Sequence, residues 1–214
     1  IRQLSIESEV IIQQYLENPL DFMVADYAVD YPFSYQPGDR VLLSPYMVEA
    51  GVRAGADLQD WIGSVWRRGE SIQTYVLLQR LTTAIYENMT YQVREEPGVQ
   101  SAIKTLARRT GSCRDFAMLF MEAARELGLA ARFVTGYLHA PLSTDAGATH
   151  AWAEIYLPGA GWKAFDPTSG TIVGADHIPV AVARLPESVP PVAGSFRGSA
   201  NASLEVGVWV SRFA

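Results

Sequence analysis

The clearest periodic pattern in the chain is a helix that begins just after Gly111. Apolar residues recur at helical spacing over residues 116–127, and Gly128 offers a stop. The preceding pair, Gly111 and Ser112, is typical of a turn followed by a helix N-cap. We therefore predict a buried helix that carries Cys113 in its first turn.

Two segments downstream have the two-residue alternation of strands. Polar and apolar side chains alternate over residues 150–157, and a second run over 162–166 ends where a proline follows. Turn-forming residues at 158–161 separate the two segments and predict an antiparallel pair. In such a pair His150 and Asp166 lie side by side.

The rest of the chain divides into a helical part and two strand-rich ends. Helical spacing predominates over residues 45–109, with one helix beginning near Ser71 and a shorter one around 102–106. Alternating apolar residues predict one strand over 4–12 and a closing strand over 204–210.

From this distribution we predict three parts. Residues 1–40 would form a partial N-terminal β module, residues 41–175 the core, and residues 176–214 a C-terminal β extension packed on that core. The segment at 139–148, which is rich in small and turn-forming residues, is placed to border a cleft and gate entry to it.

Composition excludes several classes of protein. The chain has 214 residues, 49% of them hydrophobic, which is enough to bury a sizeable core. Its formal charge of −6 and its lack of a long apolar run argue against binding to nucleic acid or spanning a membrane. One cysteine excludes an internal disulfide, and a reactive thiol survives best in a reducing compartment, so we expect a cytoplasmic protein without a signal peptide.

Three residues suggest chemistry when they are taken together. Singly, Cys113 fits a small buried side chain, His150 a surface or core histidine, and Asp166 a turn-capping carboxylate. In chain order they supply a nucleophile, a base and a group that orients the base, which thiol-based acyl transfer requires. A helix N-terminus also favours a thiolate and offers backbone N–H groups to an oxyanion.

Four ordered motifs resemble the bacterial branch of the transglutaminase-like superfamily, whose members are often described as cysteine proteases. The motifs lie at Gly111–Ala117, Leu127–Tyr137, His150–Glu154 and Phe165–Thr168, and the resemblance covers roughly residues 91–170. It implies an α+β, papain-like core in which the nucleophile helix packs on an antiparallel sheet with flanking β segments. It also implies that Cys113, His150 and Asp166 are catalytic.

The resemblance implies acyl transfer from peptide or protein amides through a thioester, without a cofactor. Water as acceptor would make the enzyme a peptidase or amidase, whereas an amine acceptor would make it a transglutaminase. A catalytically inactive binding module on the same fold is the main alternative. A metal-dependent hydrolase using the histidines with Asp145 or Asp166 has no supporting ligand spacing, and no calcium loop is visible. The sequence does not indicate an oligomeric state.

Several residues near these motifs have weaker predicted roles. Tyr91 occupies a place where the family often has an aromatic residue, and its hydroxyl would help to bind an oxyanion or acyl group, as would Ser112. Trp152 would shield the ion pair or line an acyl channel. Asp115 is expected to support the site indirectly, and His139 and His177 are assigned to structure or surface.

One stretch of the chain departs from the resemblance. Bacterial relatives usually carry a Gly-Arg-Asp-Tyr-like run after the segment that matches residues 177–182, but this chain has a different sequence over 183–190. The three predicted catalytic residues are unaffected. Substrate specificity is therefore not carried over from the family.

Overall fold

The computed structural model of the protein describes residues 4–15, 18–48, 55–94, 96–139, 149–195, 197 and 203–212. The first half of the described chain is mostly helical and contains β1 (Asp30–Tyr31), α1 (Pro37–Met47), α2 (Ala56–Val65), β2 (Ile72–Gln73), α3 (Thr74–Asn88), β3 (Thr90–Tyr91), α4 (Ala102–Arg108) and β4 (Thr110–Gly111). The second half contains α5 (Cys113–Glu126), β5 (Ala131–Leu138), β6 (Thr149–Leu157), β7 (Gly161–Phe165) and β8 (His177–Ala183), with short 3-10 turns at Asp26–Ala28 and Pro186–Ser188. None of the described helices combines the length and apolar character needed to cross a bilayer.

A four-stranded sheet forms the centre of the fold. Its strand order is β7-β6-β5-β8, and all neighbours are antiparallel. The predicted turn between β6 and β7 is confirmed, and Gly159 and Gly161 take positive φ angles of 83° and 75° there. The register shifts by a bulge between Thr135 and Gly136 of β5, where β8 pairs with it.

Helix α5 packs against this sheet and is buried on nearly all sides. The predicted apolar positions of the helix, among them Phe116, Phe120 and Met121, are at most 2% exposed and join strand residues in one core. Near its C-terminal end the helix also buries Arg125, whose guanidinium pairs with Glu122 at 2.9 Å. The predicted α+β architecture, with the nucleophile helix on an antiparallel sheet, is confirmed.

The predicted helical region at 45–109 contains α2, α3 and α4, together with the last residues of α1. Leu77, Leu78, Leu81 and Ile85 are fully buried on one face of α3, as their spacing predicts. The helix begins at Thr74 rather than near Ser71, because the preceding residues pair as β2 with β1. In α4 the predicted core position Ile103 is 39% exposed.

Two predicted strands are wrong. Residues 4–12 contain no strand, and Leu4, Ile6 and Val10 are 76–83% exposed. Residues 204–210 likewise form no strand beyond a single bridge at Val208. Alternating side chains do not make a strand unless a neighbouring strand offers hydrogen bonds and a face to bury, and within the described residues neither segment has this partner. The division into parts at residues 40 and 175 stays a prediction.

Gly136 permits the close approach of β5, β8 and the tryptophan of β6. A Cβ atom at this position would collide with the backbone oxygen of Ile178 and come within 2.8 Å of Cη2 of Trp152. We expect Gly136→Ala to lower the free energy of unfolding by about 1–3 kcal/mol, because a strand backbone cannot yield without breaking its pairing. Urea denaturation measures this change.

The matched control is Gly63→Ala in α2, where the new Cβ would meet nothing within 4 Å. This second substitution should stabilise the protein by about 0.5–1 kcal/mol, since alanine restricts the unfolded chain and favours helix. Equal effects of the two substitutions would contradict the steric role of Gly136.

Candidate active site

Cys113 is the first residue of α5, as predicted. Ser112 precedes it with an extended backbone, φ −89° and ψ 175°, and acts as the N-cap. Gly111 must lack a side chain, because a Cβ there would lie 2.9 Å from the Cβ of Asp115. The thiol is in a residue that is 8% exposed, beside backbone N–H groups that a helix start leaves without intrahelical partners.

Asp115 holds this helix start in place. Its buried carboxylate accepts hydrogen bonds from the backbone N–H and the hydroxyl of Ser112, at 2.8 and 3.0 Å, and from the backbone N–H of Gln100 at 2.7 Å. Arg94 donates to it at 2.7 Å. Burial alone would raise the pKa of Asp115, but these donors outweigh it and hold the pKa below its ordinary value. The carboxylate therefore ties Arg94 and Gln100 to the nucleophile helix.

Strand pairing brings His150 and Asp166 together, as predicted. His150 is the second residue of β6, and Asp166 follows directly after β7, which pairs with β6. The Nε2 atom of His150 lies 2.9 Å from Oδ2 of Asp166. The side chain of His150 is 13% exposed and that of Asp166 is fully buried, so the pair is largely protected from solvent.

The environment of His150 favours the protonated imidazole. Burial lowers its pKa, but hydrogen bonds with Asp166 and with the thiol of Cys113, together with the charges of both groups, raise it to about 9. Since Nε2 is bonded to Asp166, Nδ1 is the ring nitrogen left for an interaction with the thiol.

Asp166 is ionised and held by donors on both oxygens. Burial would raise its pKa, but hydrogen bonds from His150, His177 and Ser169 hold the pKa far below its ordinary value. The backbone N–H of Thr168 donates to Oδ1 at 2.9 Å, and the hydroxyl of Ser169 donates to Oδ2 at 2.8 Å. The turn after β7 is thus built around the carboxylate, which combines the predicted turn-capping role with the contact to His150.

Tyr91 lies close to the thiol. Its strand β3 pairs in parallel with β4, immediately before the nucleophile helix. Burial raises the pKa of the Tyr91 hydroxyl, the nearby Cys113 raises it further, and Arg114 opposes them. At 50% exposure the side chain reaches both solvent and the site. Its predicted contact with an oxyanion or acyl group stays a prediction.

The structure separates the other two weaker candidates. Trp152 is 1% exposed and packs beside the rings of His150 and His177, with centroids 5.9 and 5.3 Å away. Its ring lies beside both imidazoles, and its predicted place along an acyl channel stays a prediction. The backbone N–H and the hydroxyl of Ser112 both donate to Asp115, and its predicted role in binding substrate or an oxyanion stays a prediction.

Sequence reasoning missed His177, which it assigned to structure or surface. The residue begins β8 and is 7% exposed, and its Nε2 lies 3.2 Å from the same Asp166 oxygen that His150 contacts. The antiparallel pairing of β8 with β5 delivers it there, opposite Leu138. The order of the strands in the sheet is not visible in the sequence. The only signal for the position of His177 is the apolar sequence of β5, the strand with which β8 pairs.

The same three residues are a possible metal-ligand set. The ligand atoms of His150, Asp166 and His177 lie within 4.8 Å of one another, the only such group found among the described residues. Metal-bound histidines normally donate their second ring N–H to an acceptor. If Nε2 of His177 bound a metal, Nδ1 would carry the proton. Nδ1 is buried and has no hydrogen-bond partner in the described part of the chain, so no acceptor for that proton is present there. The arrangement therefore fits hydrogen bonding to Asp166 better than metal coordination.

Two further predicted features have different outcomes. The segment at 183–190 leaves β8 at Ala183 and forms the 3-10 turn at Pro186–Ser188, and the Arg184 carbonyl accepts a hydrogen bond from Arg125 at 2.7 Å. This segment therefore covers the C-terminal end of α5, the opposite end of that helix from Cys113. The predicted gating loop lies almost entirely outside the described residues, since only His139 of 139–148 is described.

Comparison with known proteins shows which proteins this part of the chain is similar to. The model of the transglutaminase-like superfamily matches residues 68–167, which include Cys113, His150 and Asp166. An uncharacterized protein of Mycobacterium tuberculosis is 34% identical over 148 residues, which are 64% of this chain and 47% of that protein. An uncharacterized protein of Mycobacterium leprae is 33% identical over 119 residues, 53% of this chain and 42% of that protein.

The chain spans about half the length of these curated relatives. Among solved structures, a putative cysteine protease from Cytophaga hutchinsonii superposes with a TM-score of 0.55 and 27% identity, covering 70% of this chain and 48% of that one. The match of the family and this likeness confirm the papain-like core that the motifs predicted.

Proposed function

We propose that the chain is an enzyme that transfers acyl groups from amide substrates through Cys113, and the match of residues 68–167 to the model of the transglutaminase-like superfamily supports this proposal. The observation that carries the proposal is the 2.9 Å contact between Nε2 of His150 and Asp166, which leaves Nδ1 of the same imidazole for the thiol of Cys113 at the start of α5. These are the nucleophile, base and orienting group of covalent catalysis.

In the first half-reaction the proton of the thiol passes to Nδ1 of His150, and the thiolate attacks the amide carbonyl carbon. The carbonyl π electrons move to oxygen, and the proposed stabilisers of this charge are N–H groups at the start of α5 and the Tyr91 hydroxyl. When the tetrahedral intermediate collapses, the C–N bond breaks and His150 gives its proton to the leaving amine. A thioester on Cys113 remains.

In the second half-reaction a nucleophile attacks the thioester and restores the thiol. Water would release an acid and complete a peptidase or amidase cycle, whereas a primary amine would form a new amide. His150 accepts the proton of the attacking group and returns it to the sulfur in either case. Asp166 keeps the imidazole in the tautomer that this transfer requires.

Peptide or protein amides are the proposed substrates, with water as the acceptor. The likeness to the putative cysteine protease from Cytophaga hutchinsonii supports hydrolysis, while transfer to an amine is the second candidate for the same thioester. We also propose a cytoplasmic location, because a reducing compartment would suit the single thiol.

Intact-mass spectrometry of the acylated protein tests the proposal directly. The chain is mixed with glutamine-containing and other peptides, with and without a fluorescent primary amine, and each acyl group is sought on Cys113. We expect a transient adduct in the wild type, none in Cys113→Ala, and turnover that is unchanged by a chelator. Absence of an adduct with every donor, together with an unreactive thiol, would favour a binding module instead.

A further inference from the structure

His177 lies within hydrogen-bond distance of the carboxylate that also contacts His150. Asp166 is ionised, so each imidazole can bond to its oxygen only through an N–H group. The 3.2 Å contact between Nε2 of His177 and Oδ2 of Asp166 therefore places the proton of His177 on Nε2. The other ring nitrogen, Nδ1, is then unprotonated, which agrees with its lack of a hydrogen-bond partner among the described residues.

Oδ2 of Asp166 is shared among three donors. Nε2 of His150 lies at 2.9 Å, Nε2 of His177 at 3.2 Å and the Ser169 hydroxyl at 2.8 Å. An oxygen that accepts several hydrogen bonds carries less negative charge for each donor, so every added donor weakens its hold on the others. His177 thus competes with His150 for the same charge.

The position of Asp166 does not depend on His177. Backbone N–H groups of Thr168 and Ser169 donate to Oδ1 at 2.9 and 3.4 Å, and the Ser169 hydroxyl donates to Oδ2. These bonds come from the turn that follows β7, whereas His177 arrives from β8. Removing the His177 donor would therefore change the charge available on Asp166 more than its orientation.

We infer that His177 is a positioning residue that acts through Asp166: by sharing Oδ2 it limits how tightly the carboxylate holds the imidazolium of His150. This inference rests on the proposed function, because it concerns the proton that His150 must deliver to the leaving amine. An imidazolium held too tightly releases that proton slowly. Without the His177 donor, acylation slows although the thiol, base and carboxylate are all present.

The substitutions His177→Phe and His177→Gln form a matched pair. Phenylalanine keeps a ring against Trp152, which packs edge-on at 5.3 Å, but removes the donor. Glutamine gives up the ring but can place an amide N–H near the position of Nε2. A role in packing alone predicts that phenylalanine is the better replacement, whereas donation to Asp166 predicts that glutamine is.

Titration of His150 by NMR in the full chain gives the readout. The chain has three histidines, so its ring signals can be assigned by substitution. We expect His177→Phe to raise the titration midpoint of His150 by about half a pH unit or more, because Asp166 then binds the imidazolium more strongly. His177→Gln should leave the midpoint near that of the wild type. With a peptide substrate, the phenylalanine variant should lose kcat several-fold at unchanged KM.

An unchanged or lowered midpoint in His177→Phe, or the same shift in both variants, would overturn the inference. If the phenylalanine variant does not fold, His177→Asn replaces it, because its shorter amide does not reach the position of Nε2. The NMR midpoint is measured whether or not the protein turns over. Failure of the proposed enzyme activity would appear as an unreactive Cys113 in the wild type, which is a separate result.

Discussion

Cys113→Ala should reduce amide turnover by at least about 10⁴-fold, because the substitution removes the only atom able to form the thioester. Cys113→Ser should be nearly as inactive, since a serine hydroxyl beside this imidazole does not form the ion pair available to a thiol. Peptide cleavage or amine incorporation, followed at substrate concentrations well below KM, measures the loss.

The effect of Cys113→Ala on folding should be small by comparison. The thiol belongs to a residue that is 8% exposed, and alanine keeps its place in the helix. Thermal unfolding should therefore remain cooperative and close to that of the wild type. Turnover that survives the substitution would show that the reaction uses another nucleophile and would remove the basis of the proposed mechanism.

Asp166→Asn has the second large expected effect, a loss of about 10²–10⁴-fold in kcat. The asparagine amide can present its N–H group to Nε2 of His150, which reverses the hydrogen bond and moves the ring proton to Nδ1. That nitrogen then cannot accept the proton of Cys113. Steady-state kinetics should show the loss mainly in kcat, because Asp166 is buried and does not face the substrate.

The same substitution should lower the free energy of unfolding by about 3 kcal/mol, since it breaks a buried network with two imidazoles. It should also change the pH dependence of stability. The pKa of native His150 is about 9 against 6.5 for an unfolded histidine, so this group stabilises the wild type fully below pH 6.5 and loses its contribution as the pH rises towards 9. The free energy of unfolding is measured against pH for both proteins, and the difference between the two curves isolates the contribution of protonated His150.

Asp176→Asn is the matched control for both measurements. Asp176 also bonds to a histidine, with 2.9 Å between its Oδ1 and Nδ1 of His139, but its side chain is 48% exposed. We expect a change below about 1 kcal/mol in stability and none in kcat. Similar losses of stability and kcat in Asp166→Asn and Asp176→Asn would contradict the importance of burial and of the contact with His150 at Asp166.

The central geometry could be predicted because each part depends on local signals. A glycine and an N-cap serine fix the start of α5, and the turn at 158–161 fixes how β6 and β7 pair. From these two features alone, Cys113 is placed at a helix N-terminus and His150 beside Asp166. No long-range information was needed to pair the histidine with its carboxylate.

The parts that could not be predicted depend on long-range placement. His177 reaches Asp166 because β8 joins the far side of β5, and sheet order is not written in local periodicity. Asp115 gathers donors from Arg94 and Gln100, which lie 21 and 15 residues away along the chain. The strand predicted at 4–12 is wrong because a local pattern was present without a long-range partner. No neighbouring strand among the described residues pairs with this segment.

The pH dependence of Cys113 alkylation by iodoacetamide, in the wild type and in His150→Ala, measures whether His150 activates the thiol. Cys113 is the only cysteine, so the rate reports on it alone, and Cys113→Ala supplies the blank. We expect fast alkylation that persists well below the free-thiol pKa of about 8.5 in the wild type and is lost in His150→Ala. A slow rate that follows an ordinary thiol titration in both proteins would contradict it.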